Sequence, residues 1–182
     1  PSGNFDRREA QAVAAAARSI GYLGTLVELG TWRGRSTVLV SELLPDWRIV
    51  TIDSYDDRAQ DEEFASIPME SARAAAAVAL AGRKNVTTVH ADVLEAARKW
   101  AGGQVHILLV DDDHTEAHVH EVLKSWAGLM ARRSVICLHD LNEAGLYKRH
   151  VGVALAAEQT LPTFGFRRAP EFDALSLGSY RR

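Results

Sequence analysis

Five carboxylates in this chain stand at or beside the ends of short apolar, β-branched runs. Glu28 lies in "TLVEL" (25–29), Asp53 ends "RIVTID" (48–53), Asp92 follows "VTTVHA" (86–91), Asp111 ends "VHILLVD" (105–111) and Asp140 ends "SVICLHD" (134–140). Carboxylates collected on one edge of a sheet can accept hydrogen bonds from ribose hydroxyls or an ammonium, or hold a hard divalent cation. Capping of the following helices would account for one or two of them, but poorly for all. Two histidines accompany the last pair: His114, three residues past Asp111, and His139, directly before Asp140. Imidazole titrates near neutrality, which suits His114 to the work of a general base.

The stretch "VELGTWRGRST" (27–37) adds a turn to the first of these runs. Gly30 and Gly34 allow a tight turn and a close approach of backbone to a ligand. Ser36 and Thr37 open the helix that follows, whose first N–H groups favour an anion or a carboxylate. The spacing Gly-x-x-x-Gly, with Trp32 between, departs from the G-x-G-x-x-G of dinucleotide sites and suits a ligand without a pyrophosphate. Asp53 falls roughly 20 residues past Gly34, where an acidic residue reaches ribose hydroxyls in nucleotide-binding sheets. Trp32 reads equally as a wall of the ligand pocket or as plain packing.

Positioning these residues takes an open sheet. Between the apolar runs lie the helical patterns "RSTVLVSELL", "MESARAAAAVALAG", "VLEAARKWA" and "EAHVHEVLKSWAGLMA". Such alternation predicts an α/β fold: a Rossmann-like, doubly wound, mostly parallel sheet with helices on both faces. "VHILLV" lacks polar alternation, as a central strand should. "TFGFRRA" and "ALSLGSYRR" predict an antiparallel hairpin that ends the sheet, with "YRR" a solvated end. Residues 1–20 read as a helix capped by Asn4 or Asp6. The acidic segment 53–64 reads as a surface loop. No boundary divides residues 1–182, so one domain is expected. Trp126, with Leu123 and Leu129, is expected in the core. Trp47 and Trp100 are expected to pack at element ends, and Cys137 to be a buried hydrophobe.

Composition narrows the classes. The 182 residues are 47% hydrophobic and 25% charged, an ordinary globular balance. A net charge of −3 gives no broad pull toward nucleic acid or an anionic membrane. The lone cysteine excludes an internal disulfide framework. The alanine-rich stretches are too short to span a bilayer, and no secretory signal pattern is present. A cytoplasmic protein without nucleic-acid or membrane partners is expected.

Taken together, "VELGTWRGRST", "TID" and "HAD" resemble the first three motifs of the class I S-adenosylmethionine-dependent methyltransferases. The resemblance implies that Gly30 and Gly34 lie against the methionine part of S-adenosylmethionine, that Asp53 binds the ribose hydroxyls and that Asp92 lies near the adenine. It places Glu28, Thr31, Trp32, Ser36, Ser54, Val93 and Asp111 in the same cofactor set. Downstream, "LLVDDDHTEAHVHEVLKSWAGLMARRSVICLHDLN" and "VGVALAAEQ" are similar to the subgroup with macrocin and related macrolide-sugar O-methyltransferases and cephalosporin hydroxylase-like proteins. Asp112 stands where many members of that subgroup have glycine.

Asp111 and Asp140 end neighbouring strands, and their side chains should converge; such oxygen ligands suit Mg²⁺. In the sugar enzymes a divalent ion at these positions binds substrate oxygens. Carried over, Asp111 and Asp140 become ligands, and His139 stands where those enzymes have a glutamate. Imidazole favours Mn²⁺, Fe or Zn²⁺ over Mg²⁺. Alternatively His139 points to the other face, since consecutive strand residues alternate. A rival reading pairs His114 and His118 as an i, i+4 zinc site, with His120 nearby; otherwise His118 and His120 are solvated helix positions and Asp113 caps their helix. The function expected is O-methylation of a small hydroxylated molecule, with His114 as base; either the N-terminal helix and the loop 54–66 or a second subunit covers the pocket, and a homo-oligomer is expected. The alternatives are an NAD-binding oxidoreductase domain and a non-catalytic cofactor-binding partner protein.

Overall fold

The computed structural model describes residues 5–56, 68–143 and 151–182. Helices and strands alternate through most of the chain: α1 (Arg7–Ser19), β1 (Thr25–Leu29), α2 (Arg35–Leu43), β2 (Arg48–Asp53), α3 (Met69–Leu80), β3 (Val86–His90), α4 (Val93–Arg98), β4 (Val105–Val110), α5 (Glu116–Ala127), β5 (Met130–Leu138), α6 (Val151–Thr160), β6 (Arg167–Arg168) and β7 (Gly178–Arg181). They build a seven-stranded sheet in the order β3-β2-β1-β4-β5-β7-β6. Strands β1 to β5 pair in parallel, and β7 runs antiparallel between β5 and β6. The expected α/β sheet and its closing antiparallel hairpin are both present. The order reverses between β1 and β4, so their C-terminal ends flank the crevice where sheets of this kind bind ligands.

Alternation along each strand divides the core in two. Val27, Leu29, Val50, Ile52, Leu108, Val110, Ile136 and Leu138 face the layer that includes Trp126 of α5 and Ala156 of α6. Leu26, Ile49, Ile107, Leu109, Val135 and Cys137 face the layer that includes Val13 of α1 and Val40 of α2. β1 is buried along its whole length, which places Glu28 inside the protein. Helix α1 begins with a reciprocal cap: Asp6 accepts from the Arg8 N–H, while the Asp6 N–H donates to Glu9. Asn4 and most of the acidic loop lie outside the described residues.

Several expectations need correction. β5 starts at Met130, before the predicted run at Ser134, because α5 stops at Ala127 with Gly128 as its C-cap. The extra length is taken up by a bulge, where pairing jumps from Val105–Met130 to Ile107–Val135. Leu129 therefore follows the helix and is only partly buried, whereas Leu123 and Trp126 are fully buried. The "YRR" end is not simply solvated: Tyr180 is buried in β7, and Arg182 donates to the Met130 and Ala131 carbonyls. Trp47 is buried, and Trp100 packs edge-on against Trp126.

Candidate functional site

At the β1–α2 turn, the constraint on Gly30 comes from the fold itself. Its φ is 92°, and a Cβ there would meet the carbonyl oxygen of Asp111 at 1.8 Å. The glycine thus lets the ends of β1 and β4 close on each other. Gly34, at φ 77°, is the N-cap of α2 and supplies no side-chain cap. Trp32, half-buried at φ 43°, donates its backbone N–H to Asp53 Oδ2 at 2.7 Å. Asp53 Oδ1 accepts from the Tyr55 N–H at 2.7 Å. Burial raises the Asp53 carboxyl above its usual range, and these N–H donors partly offset it. Each oxygen retains a lone pair that could accept a hydroxyl.

The rest of the predicted cofactor set splits in two. Glu28 is 1% exposed, and its Oε2 accepts from Thr37 Oγ1 and, at 2.6 Å, from Thr51 Oγ1. Burial pushes its carboxyl up to about 7, against the hydroxyls of Ser36, Thr37 and Thr51. Thr31 joins the same buried cluster through Thr51, at 2.6 Å. Glu28, Thr31 and Ser36 thus tie β1, β2 and α2 together beneath the crevice. Ser54 lies just past β2, where its carbonyl meets the His90 ring at 2.7 Å. Asp92 is exposed and caps α4, accepting from the Leu94 and Glu95 N–H groups at 3.0 and 2.8 Å; Val93 behind it is buried.

At the ends of β4 and β5 the carboxylates meet side chains instead. Ligand-type atoms of Asp111, His139 and Asp140 lie within 4.8 Å of one another, the only such group among the described residues. His139 is 6% exposed. Its Nδ1 stands 3.3 Å from an oxygen of Asp111 and 3.3 Å from an oxygen of Asp140, with no hydrogen bond of good geometry to either. Strand alternation leaves His139 on the α1 face, beside Phe5 and Glu9 and level with Asp111, and would turn Asp140 to the other face. β5 ends at Leu138, and Asp140 adopts φ 61°, so the chain kinks and both side chains face Asp111. His114 Nε2 reaches Asp140 Oδ2 at 2.9 Å. Burial opposes charge on Asp140, but His114 and His139 hold its carboxyl far below the usual range. Burial likewise opposes charge on His139, yet Asp111, Asp140 and Glu9 raise its pKa well above normal.

Two partners of this cluster escaped the sequence reading. Glu9 of α1, 1% exposed, lies 3.5 Å from His139 Nε2, and Ser176, before β7, lies 3.0 Å from the same nitrogen. Glu9 carried a local signal only as the third residue of a capping box; nothing in the sequence ties Ser176 to a residue 37 positions away.

The rival zinc pair is not assembled. His114 precedes α5, so it shares no helix face with His118, and His118 Nε2 pairs with Asp112 Oδ2 at 2.8 Å. That bond gives Asp112 its place: it fastens the loop to α5. His118 and His120 are half-buried rather than solvated, and His120 contacts Thr160 and Gln159 of α6. Asp113 accepts from the Thr115 N–H at 2.7 Å, and Thr115 is the N-cap. A separate groove of about 540 Å³ opens between short α4 and the β2–β3 face, and no predicted site residue lines it.

The described helices include none long and apolar enough to cross a membrane. No curated protein matches the chain by sequence. Among solved structures, the O-methyltransferase TomG of Streptomyces achromogenes, involved in tomaymycin synthesis and solved with S-adenosylmethionine, is 17% identical. The alignment covers 100% of this chain and 82% of that one, with a TM-score of 0.66. An O-methyltransferase of Bacillus cereus in complex with S-adenosylhomocysteine is 13% identical over 100% of this chain and 83% of its own, at TM-score 0.67. The S-adenosylhomocysteine-bound methyltransferase PaMTH1 of Podospora anserina is 15% identical over 98% and 79%, at 0.66. At such identities the likeness speaks for the fold. The family follows from sequence: a methyltransferase-domain profile matches residues 27–141, from β1 to just past Asp140. The chain belongs to the class I S-adenosylmethionine-dependent methyltransferases.

Proposed function

We propose that the protein transfers a methyl group to a hydroxyl of a small molecule, aided by a divalent ion at Asp111, His139 and Asp140. The observation that carries this reading is the convergence of those three side chains beside the cofactor crevice, with His139 Nδ1 buried and without a hydrogen bond. The donor set fits a divalent cation: two carboxylates supply charge and the imidazole nitrogen fixes direction. Such an ion lowers the pKa of a coordinated hydroxyl. S-adenosylmethionine supplies an electrophilic methyl on sulfur. Asp53 would hold the ribose, the Gly30–Gly34 turn the methionine part, and Asp92 the adenine side.

His114 would take the acceptor's proton. Its Nε2 already faces Asp140 at 2.9 Å, and that carboxylate would stabilise the imidazolium that forms. The buried walls would exclude water and set the angle of approach, the main contribution expected of a methyl-transfer site. We read the protein as cytoplasmic, as one domain over residues 1–182, as a homo-oligomer, and as acting without nucleic-acid or membrane partners. The test is methyl transfer from S-adenosylmethionine to a panel of catechols, sugars and other vicinal hydroxyl compounds, with and without EDTA. Turnover abolished by EDTA and restored by Mn²⁺ or Mg²⁺ supports the proposal. Turnover unchanged by chelation refutes the role of the ion, and transfer only to amines or thiols refutes the acceptor class.

A further inference from the structure

We infer that Glu9, reaching in from α1, is a positioning residue for His139: it fixes Nδ1 as a metal ligand and commits the site to an imidazole-accepting ion such as Mn²⁺, Fe²⁺ or Zn²⁺. The inference rests on the metal-assisted reading above and goes further, naming what orients the ligand and which ions follow.

Hydrogen-bond direction carries the argument. An ionised carboxylate only accepts, so the Ser176 hydroxyl, 2.5 Å from Glu9 Oε1, donates its one proton to Glu9. Ser176 Oγ can then only accept from His139 Nε2, 3.0 Å away. Nε2 therefore carries a hydrogen, and the nitrogen left for a metal is Nδ1. That atom faces the Asp111 and Asp140 oxygens at 3.3 Å. Glu9 cannot swing off this duty, because its Oε2 accepts from the Asp6 N–H at 2.7 Å. Phe5 packs over the imidazole, ring centroids 5.6 Å apart. The start of α1 thus grips His139 by one ring face and, through Ser176, by one nitrogen. A carboxylate behind a ligating histidine sets ring orientation and tautomer and raises the basicity of the ligand. A site that invests a buried carboxylate in presenting an imidazole favours ions that accept nitrogen over Mg²⁺.

The experiment titrates the whole protein with Mn²⁺ alone. Electron paramagnetic resonance counts free ion, and pulsed measurements detect nitrogen coupling on bound ion. The parent should bind Mn²⁺ with an imidazole nitrogen coupling, and His139→Asn should lose that coupling. Glu9→Gln is the sharp variant. Its amide oxygen can still cap α1, since glutamine serves that position as well as glutamate, but its NH₂ opposes the donating relay. Mn²⁺ affinity should fall about tenfold or more and the nitrogen coupling should weaken, in a variant that circular dichroism shows to be folded. Ser176→Ala leaves the cap intact and should weaken the coupling too, which keeps the test decisive if Glu9→Gln misfolds. Mn²⁺ bound without nitrogen coupling in the parent overturns the inference. So does unaltered affinity and coupling in the folded Glu9 or Ser176 variant; both outcomes leave the metal site itself standing. A parent that binds no Mn²⁺ overturns the inference and the metal-assisted reading together.

Discussion

The two halves of the catalytic edge hold their carboxylates by different means. At the β2 and β3 ends, Asp53 and Asp92 are fixed by backbone N–H groups from Trp32, Tyr55, Leu94 and Glu95. At the β4 and β5 ends, Asp111 and Asp140 face the imidazoles of His114 and His139, braced from α1 by Glu9. Backbone donors orient a carboxylate and still leave lone pairs for a neutral hydroxyl. Buried charges set against one another demand a cation in the balance, whether a proton or a metal. The first half leaves its carboxylates open to further hydrogen-bond donors; the second is built around charge.

Gly30 joins the halves, and its replacement should have the largest effect. In Gly30→Ala the new Cβ meets the Asp111 carbonyl at 1.8 Å, at a φ of 92°. Neither end of that contact is a flexible side chain. We expect a loss above about 4 kcal/mol in urea unfolding, or no folded protein. A stable variant that loses only cofactor binding would show that the glycine serves the ligand and not the joint.

Glu28 tests whether the first half tolerates charge. Its folded pKa of about 7 stands above the ordinary 4.5. Folding therefore favours the protonated form. The contribution is full below about 4.5, declines as pH rises toward 7 and is flat above that, a swing on the order of 3 kcal/mol. Glu28→Gln should remove the slope, so that its stability relative to the parent rises between pH 4.5 and 7. Parallel pH–stability curves for the two proteins would mean that Glu28 is ionised inside the fold.

A pair of substitutions should separate the halves functionally. Asp53→Ala should weaken S-adenosylhomocysteine binding roughly 10- to 100-fold, the worth of hydrogen bonds to a charged group, and leave Mn²⁺ affinity alone. Asp111→Ala should abolish metal-dependent turnover while largely sparing the cofactor. Calorimetric titration of both variants with both ligands reads the whole square. If either variant loses both ligands equally, the division of labour fails.

How far the sequence could reveal this depends on the range of each interaction. The sheet was legible because burial on both faces leaves an unbroken apolar run such as "VHILLV", and because Asp53, Asp92, Asp111 and Asp140 fall where such runs stop. The capping box of α1 was half-visible through Asp6. The convergence of Asp140 with His139 and Asp111 was obscured by strand alternation, a rule that lapses where the chain kinks at Asp140. The pairing of Glu9 with Ser176 was invisible, since 167 residues separate partners that only the folded sheet brings together. The early start of β5 was hidden by a bulge, and a bulge has no periodicity to read.

The smallest expected effect decides the part played by Asp92. Its Oδ1 already caps α4 through two N–H groups, so Asp92→Ala should cost about 1 kcal/mol as a lost cap. Any loss of S-adenosylhomocysteine affinity in that variant would be ambiguous, because a frayed α4 also disturbs the crevice. Asp92→Ser removes the ambiguity: serine caps nearly as well but carries no charge and reaches less far. Stability restored with affinity restored makes Asp92 a cap that happens to sit at a motif position. Stability restored with affinity still reduced gives it a contact on the adenine side, and places the border between the two halves beyond β3.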